Sequence, residues 1–458
     1  MNRGLGLRLA SGLLVLALAA CGTDAASPSA QLSSAPTASD ASTSPSAGAV
    51  SGTVEQAPGS ESAVYAPNPG AIVVAIDAGH GGCLDWGVPD PSERGVQLAE
   101  KTLTLAIAQR LRDLLAAGGI GVVMIRDADE ALAGDDYEPL GCEGPDWRDV
   151  NGDGLAGFGP DLPEATRTRD ELQARLDLAN LAAADALVSI HINAPSEGGQ
   201  RIELAFSETY YTDETAWGPT ATARLAQAVQ DGVVERLERL ADYERGDRGI
   251  NAHNLYLVAP PLFEPTQERP DPRKQPTRGG LMPVVLAEVG SITLRSEHDL
   301  LATGEGQQVV AEGLLDGLAS YLGDREIAAR IGLADATVGQ APEPADGDGP
   351  MFWAPVAPDG PVALRLTNTG TRDWPAGMQL VAGWDSSAQP YLPRAPSELE
   401  PLGPAVPALA AGESVVLDVT MPEPPPGSRA VAWISLTDGE TTLADRGSPP
   451  LQLASEGN

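Results

Sequence analysis

The sequence predicts an α/β domain, a mostly parallel sheet with flanking helices, followed by a small all-β sandwich. Three observations predict it. Short continuous apolar runs, such as Ile72-Val73-Val74-Ala75-Ile76, have the length of strands covered on both faces. These runs alternate with segments whose apolar residues recur at helical spacing, as a parallel sheet requires. Beyond residue 350 the helical period disappears, and short apolar runs separated by turn residues take its place.

The elements follow in order. The run at 72–76 is the first strand. Residues 98–115 carry Leu103, Ile107, Leu111 and Leu115 on one helical stripe, and Gly118-Gly119 ends that helix. A second strand covers 120–125, a helix 169–184, and a buried strand Ala186-Leu187-Val188-Ser189-Ile190. Residues 221–240 and 307–322 read as helices, and Val284-Val285-Leu286-Ala287 as one more short strand. The sandwich strands fall at 362–366, 378–383, 414–420 and 430–436, with Trp374, Trp384 and Trp433 expected in its core.

The 458 residues divide further by composition. Arg3 and Arg8 precede an apolar run at 9–20 that is too short to span a bilayer, so residues 1–20 read as a secretory signal. Its end, Leu18-Ala19-Ala20-Cys21, resembles the lipobox of bacterial lipoprotein signals, which implies lipidation of Cys21. Residues 21–68 are rich in Ser, Ala, Thr, Pro and Gly and read as a disordered tether. The α/β domain spans 69–325 with an acidic insert at 127–166, residues 326–350 read as a linker, and the sandwich fills 351–458. The net charge of −35 excludes nucleic acid as a partner, because phosphate binding needs basic patches. Outside the cytoplasm, Cys83 and Cys142 read either as a disulfide or as independent thiols.

Within the insert, Asp149, Asn151 and Asp153 with Gly154 follow the first half of a calcium loop. The acidic residue expected at its twelfth position is replaced by Pro160, so the stretch reads equally as a Ca2+ site or as an Asx-rich surface turn.

The chemistry gathers at strand and helix ends. His80 follows the first strand, Glu100 opens the first helix, and His191 follows the strand at 186–190. In an open α/β sheet the carboxyl ends of strands converge on ligands. Two imidazoles and a carboxylate are a catalytic zinc set, and Glu288, after another strand, can serve as general base for water at the same edge. Each residue alone also reads as a structural group: a hydrogen-bonded histidine, a first-turn carboxylate, a salt-bridge partner.

Residues 71–322 resemble the zinc-dependent N-acetylmuramoyl-L-alanine amidases of the Amidase_3 family. The matching pieces are Val74-Ala75-Ile76-Asp77-Ala78-Gly79-His80-Gly81-Gly82, Glu100-Lys101, Arg175 with Ala179-Asn180, Ser189-Ile190-His191-Ile192-Asn193, Arg248-Gly249 and Glu288-Val289-Gly290. The resemblance implies Zn2+ on His80, Glu100 and His191, and Glu288 as the catalytic glutamate. It implies hydrolysis of the amide between N-acetylmuramic acid and L-alanine in peptidoglycan. Together with the lipobox, the expectation is an extracytoplasmic enzyme anchored through lipid to a bacterial membrane and facing the cell wall. Asn193 and Arg248 are candidate substrate contacts, Arg248 reading either as a partner of a stem-peptide carboxylate or as a surface ion pair. His298, at a helix start, is expected to be exposed. The chain departs from the family at Cys83-Leu84-Asp85-Trp86-Gly87, where an Asp-Pro-Gly stretch is usual. The C-terminal residues, with Trp374-Pro375, Gly377 and Trp433, resemble a tryptophan-marked Ig-like (FW-type) domain. Two other readings stay open: a zinc hydrolase of a different wall peptide amide, and a non-catalytic wall-binding surface protein. The sequence names no activator protein.

Overall fold

A computed structural model describes residues 72–82, 85–89, 95–133, 149–151, 164–214, 218–260, 276, 278–334, 361–386, 396–425 and 430–454. The signal, the tether, Cys21, Cys83, Cys142 and Asp153 lie outside the described residues.

The first lobe runs β1 (Val73–Ala78), α1 (Glu100–Ala117), β2 (Gly121–Met124), α2 (Glu164–Leu181), β3 (Ala186–Asn193), a short hairpin β4 (Ser196–Glu197) and β5 (Gln200–Arg201), then β6 (Phe206–Tyr211), α3 (Pro219–Leu240), β7 (Gly246–Ala252), β8 (Val284–Ser291), α4 (Arg295–Leu301) and α5 (Gly304–Gly323). Its sheet has the order β2-β1-β3-β8-β6-β7. The first four strands in that order are parallel, and β6 and β7, parallel to each other, meet β8 antiparallel. The sheet is mostly parallel, as expected, although β6 and β7 are not among the strands read from the sequence. Gly246–Ala252 carries mostly polar, exposed residues, so it lacks the apolar signature of a buried strand.

Alternation along β1 divides the core. Val74, Ile76 and Ala78 pack with Leu103, Ile107 and Leu111 of α1 and with apolar residues of α3 and α5, whereas Val73 and Ala75 pack with Leu176 and Ala179 of α2. The sheet is therefore covered on both faces, as the continuous apolar runs require. Helices α3 and α5 cross at glycines. A methyl group on Gly313 would lie 2.7 Å from the Gly232 carbonyl oxygen and 2.9 Å from the Val233 Cα. Among the described residues no helix is long and apolar enough to cross a membrane.

The second lobe is two antiparallel sheets. One has the order β13-β10-β9 and the other β12-β11-β14-β15, with β9 (Ala329–Leu333), β10 (Pro361–Asn368), β11 (Met378–Ser386), β12 (Glu400–Val406), β13 (Ser414–Thr420), β14 (Ala430–Thr437) and β15 (Leu451–Ala454). Ile331, Leu364, Leu366, Trp374, Leu380, Ile434 and Leu436 form their shared core. The linker expected at 326–350 needs correction, because Ala329–Leu333 is a strand hydrogen-bonded along β10. A single apolar alternation in five residues, hard against α5, gave too short a pattern to read.

The lobes share buried contacts at the amino ends of the parallel strands. Asp185, just before β3, accepts from the backbone N–H of Val73 at 2.8 Å and from the Arg325 guanidinium at 2.7 Å. Arg330 of β9 donates to the Ala182 carbonyl at 2.6 Å. Trp433 is fully buried, but it packs against Leu281, Val381, Leu399 and Ala444 rather than in the core between the two sheets. Only Trp374 enters that core, while Trp384 is partly buried with its indole N–H on the Pro422 carbonyl at 3.1 Å. His298 also corrects the expectation of exposure. It is 1% exposed, and its Nε2 donates to the Leu98 carbonyl at 2.9 Å, because α4 packs its second residue pair inward over the turn that precedes α1.

Gly313→Ala is expected to force α3 and α5 apart and to lower stability by about 1–3 kcal/mol, the usual cost of overpacking a tight contact. Denaturant unfolding checks this, and an unchanged midpoint would show that the crossing can relax freely.

Candidate active site

The end of β1 is where backbone and chemistry meet. His80 adopts a left-handed conformation with φ 63, rare for a residue with a side chain. Two buried arginines hold it there. Arg175 of α2 donates to Asp77 Oδ1 at 2.6 Å, to the Ala78 carbonyl at 3.0 Å and to the His80 carbonyl at 2.8 Å. Arg126 donates to the carbonyls of Ala78 at 2.7 Å, Gly79 at 2.9 Å and Lys101 at 2.8 Å. Three carbonyls of the turn therefore have cationic donors, which offset the cost of leaving regular structure. Gly79 has a separate reason. A Cβ there would lie 2.5 Å from the His191 ring.

This turn delivers His80 to its expected partners. His80 Nε2 lies 3.1 Å from Glu100 Oε1 and 3.1 Å from His191 Nδ1, and His191 Nδ1 lies 3.3 Å from Glu100 Oε1. A four-coordinate ion with ligands about 2.0–2.1 Å away has ligand–ligand edges of about 3.3 Å. The triangle of donors has that size. Among the described residues this is the group of three that can hold a metal ion. Glu100 is fixed further by the backbone N–H groups of Val88 at 2.8 Å and Ile192 at 3.0 Å.

Electrostatics fit the same reading. Burial opposes the His80 imidazolium, but the Asp85 and Glu100 carboxylates beside it overcome that and hold its pKa well above the usual histidine range. Burial likewise opposes the Glu100 carboxylate, and His80 and His191 lower its pKa despite it.

Glu288, the candidate base, faces His191 in the register of β3 and β8. Burial pushes its carboxyl well above the ordinary carboxylate range, and the charges of Glu100 and Glu208 add to that. Its Oε2 is buried and has no hydrogen-bond partner among the described residues. A buried carboxylate oxygen left without a donor is costly unless water or a ligand group fills the place.

Two functional neighbours escaped the sequence. Asp85 accepts from His80 Nδ1 at 2.7 Å and from the Gly87 backbone N–H at 3.2 Å. It orients the imidazole so that Nε2 faces Glu100 and His191. Its only signal was an acidic residue five places after His80. Glu208 of β6 stands opposite Glu288 and draws the two expected substrate contacts together. Asn193 Nδ2 donates to Glu208 Oε1 at 2.6 Å, and the Arg248 guanidinium lies 3.8 Å from the same oxygen while stacking 3.5 Å over the Phe206 ring. Its signal was the alternation Phe206-Ser207-Glu208-Thr209-Tyr210-Tyr211, a strand of aromatic and β-branched residues.

Of the expected calcium ligands, Asp149 and Asn151 are described. The backbone N–H groups of Val150 and Asn151 both donate to Asp170 Oδ1, at 2.9 and 3.2 Å, and the Asn151 side chain bonds Tyr256. This part of the insert is a buried turn secured by α2.

A histidine must give up its Nε2 proton to bind a metal ion through that nitrogen. Affinity is therefore expected to rise with pH through the neutral range, and a chelator-competition titration showing no pH dependence would contradict the triad. At alkaline pH, where proton competition is small, Asp85→Ala is expected to weaken metal binding by about 10–100-fold, the usual effect of losing an orienting carboxylate.

The comparisons with known proteins identify the family. The family described as N-acetylmuramoyl-L-alanine amidase, Amidase_3, matches residues 74–320. The chain is similar to the germination-specific N-acetylmuramoyl-L-alanine amidase of Bacillus subtilis (strain 168), 26% identical over 254 residues that cover 55% of this chain and 81% of that protein. It is similar to the sporulation-specific N-acetylmuramoyl-L-alanine amidase of the same organism, 26% identical over 249 residues covering 54% of this chain and 67% of the other. Among solved structures it is similar to the N-acetylmuramoyl-L-alanine amidase from Clostridium difficile 630, at 27% identity and a TM-score of 0.37, covering 56% of this chain and 98% of that one. With more than half its length matched by that family, and with the His80, Glu100 and His191 donors gathered at one sheet edge, the chain belongs to the Amidase_3 family of N-acetylmuramoyl-L-alanine amidases.

Proposed function

We propose that the protein hydrolyses the amide between N-acetylmuramic acid and L-alanine in peptidoglycan, with zinc held by His80, Glu100 and His191 and with Glu288 as the catalytic base. The observation that carries this reading is the unpartnered, buried Oε2 of Glu288 beside a donor triangle of the size a four-coordinate ion needs. When zinc is bound, its Lewis acidity makes water nucleophilic at neutral pH and polarises the scissile carbonyl.

The chain's own groups do the rest. Glu288 Oε2 takes the proton from the attacking water and returns it to the departing L-alanine amine. A raised carboxyl pKa suits both halves of that task, because the group must accept a proton and then release it. Asp85 keeps the His80 ring in the tautomer that leaves Nε2 free to act as a ligand. Asn193 and Arg248, steadied by Glu208, offer donors to the stem peptide, and the guanidinium suits a carboxylate.

We further read residues 1–20 as a signal, Cys21 as the lipid-bearing residue, 21–68 as the tether and the second lobe as an Ig-like module. Together they place the enzyme outside the cytoplasm, anchored to a membrane and facing the wall.

The test is digestion of purified peptidoglycan by the full chain, with products identified by mass spectrometry. The wild type is expected to release stem peptides bearing a free L-alanine amine and to leave the glycan intact. Glu288→Gln, which keeps the shape and removes the base, is expected to lose about 10²–10⁴-fold in rate while still binding metal. Cleavage at any other bond would overturn the substrate assignment, and full activity of the variant would overturn the role of Glu288.

A further inference from the structure

Three large hydrophobic side chains are exposed among the described residues, and one of them, Trp86 at 39%, belongs to the segment that borders the candidate metal ligands. Its two chain neighbours both touch candidate metal ligands. Asp85 holds the His80 ring, and a Cβ on Gly87 would lie 2.5 Å from Glu100 Oε2 and 2.5 Å from the His80 ring. The segment is tied down at its ends, with Gly81 and Asp85 forming a β-bridge and the Glu100 N–H on the Val88 carbonyl at 2.9 Å. The indole is steadied too. The Lys101 ammonium sits 4.7 Å from the ring centroid, and it is itself held by the Gly82 carbonyl at 2.6 Å and Asp129 at 2.7 Å. An exposed indole on a braced loop is a preorganised surface, for which little ordering is left to be done on binding.

We propose that Trp86 is a sugar-binding platform, taking the pyranose ring of the muramic acid residue on its exposed surface. The proposal rests on the amidase reading, since it concerns the same substrate. In that substrate the scissile carbonyl is joined to the sugar ring only by one carbon and an ether oxygen. A carbonyl at the metal site therefore brings the ring against one wall of it. The charges say which wall. On the β1 flank Asp85 and Asp129 accompany Trp86, and the lysine there is engaged beneath the ring, so the described residues of this flank favour a neutral sugar over the carboxylates of a stem peptide. On the other flank, beyond β8, Arg248 stands on β7 with a guanidinium suited to carboxylates. The apolar C–H face of a pyranose fits the indole, and the anionic peptide fits the arginine side. The substrate then crosses the sheet edge with glycan over β1 and peptide toward β7.

The test compares two substrates: a disaccharide–tripeptide, and the same tripeptide capped by a lactyl group alone. The readout is the ratio of kcat/KM on the first to kcat/KM on the second. Trp86→Ala is expected to lower that ratio about tenfold, and Trp86→Phe to keep most of it. A ratio left unchanged, with both substrates slowed equally, would show that Trp86 only supports Lys101 and would overturn the proposal. Calorimetry with peptide-free glycan chains gives a readout independent of activity, with binding by the wild type expected and its loss in Trp86→Ala. If the wild type cleaves neither substrate while glycan binding depends on Trp86, the platform stands and the amidase reading falls. Glycan binding that is indifferent to Trp86 overturns the platform alone.

Discussion

The site depends on two guanidinium groups that water never reaches. Arg126 and Arg175 are each 1% exposed, and between them they hold the carbonyls of Ala78, Gly79 and His80. A chain leaving a parallel strand would otherwise expose these carbonyls or carry on in extended form. The clamp makes the left-handed His80 affordable and so turns the imidazole back over the sheet edge. Arg175 is itself balanced by carboxylates, meeting the buried Asp77 at 2.6 Å and Glu171 at 2.9 Å, as a buried charge requires. Arg126 is satisfied instead by carbonyl oxygens, those of Ala78, Gly79 and Lys101 among them. The strand's last acidic residue is thus committed to scaffolding rather than to chemistry.

A second constraint is the concentration of carboxylates. Glu100, Glu208 and Glu288 are brought to one sheet edge, Glu208 and Glu288 directly opposite each other in the register of β6 and β8. Like charges at such proximity cannot all ionise freely, so they push each other's titration upward unless a cation intervenes. Glu208 escapes part of this by accepting from Asn193 and Asn251. Glu288 has no such donor for Oε2, so the free energy stored at that oxygen is available to water and to substrate.

Much of this was legible in the sequence, for definite reasons. The grouping of His80, Glu100 and His191 could be read because parallel strands announce themselves by continuous apolar runs, and their carboxyl ends share one edge. His80, Glu100, His191 and Glu288 all sit at such ends or at the first turn of a helix. What could not be read depends on contacts between distant residues. Asp85 matters only because its loop folds back on His80, and Glu208 only because β6 runs antiparallel to β8. Strand β7, polar and exposed, has no periodicity to distinguish it from a loop. The three tryptophans of the second lobe look alike in sequence, yet the pleat sends Ile434 inward and Trp433 to the opposite face, where the first lobe covers it.

That covered face has a bearing on how such proteins are assembled in evolution. A lobe joined by an exposed linker can be exchanged like a cassette, leaving its host intact. Here the exchange would uncover Trp433 and Leu281 together, and it would strip the Ala182 carbonyl of its Arg330 donor. The second lobe therefore carries a residue whose surroundings the first lobe completes, and a change at Leu281 is felt at Trp433.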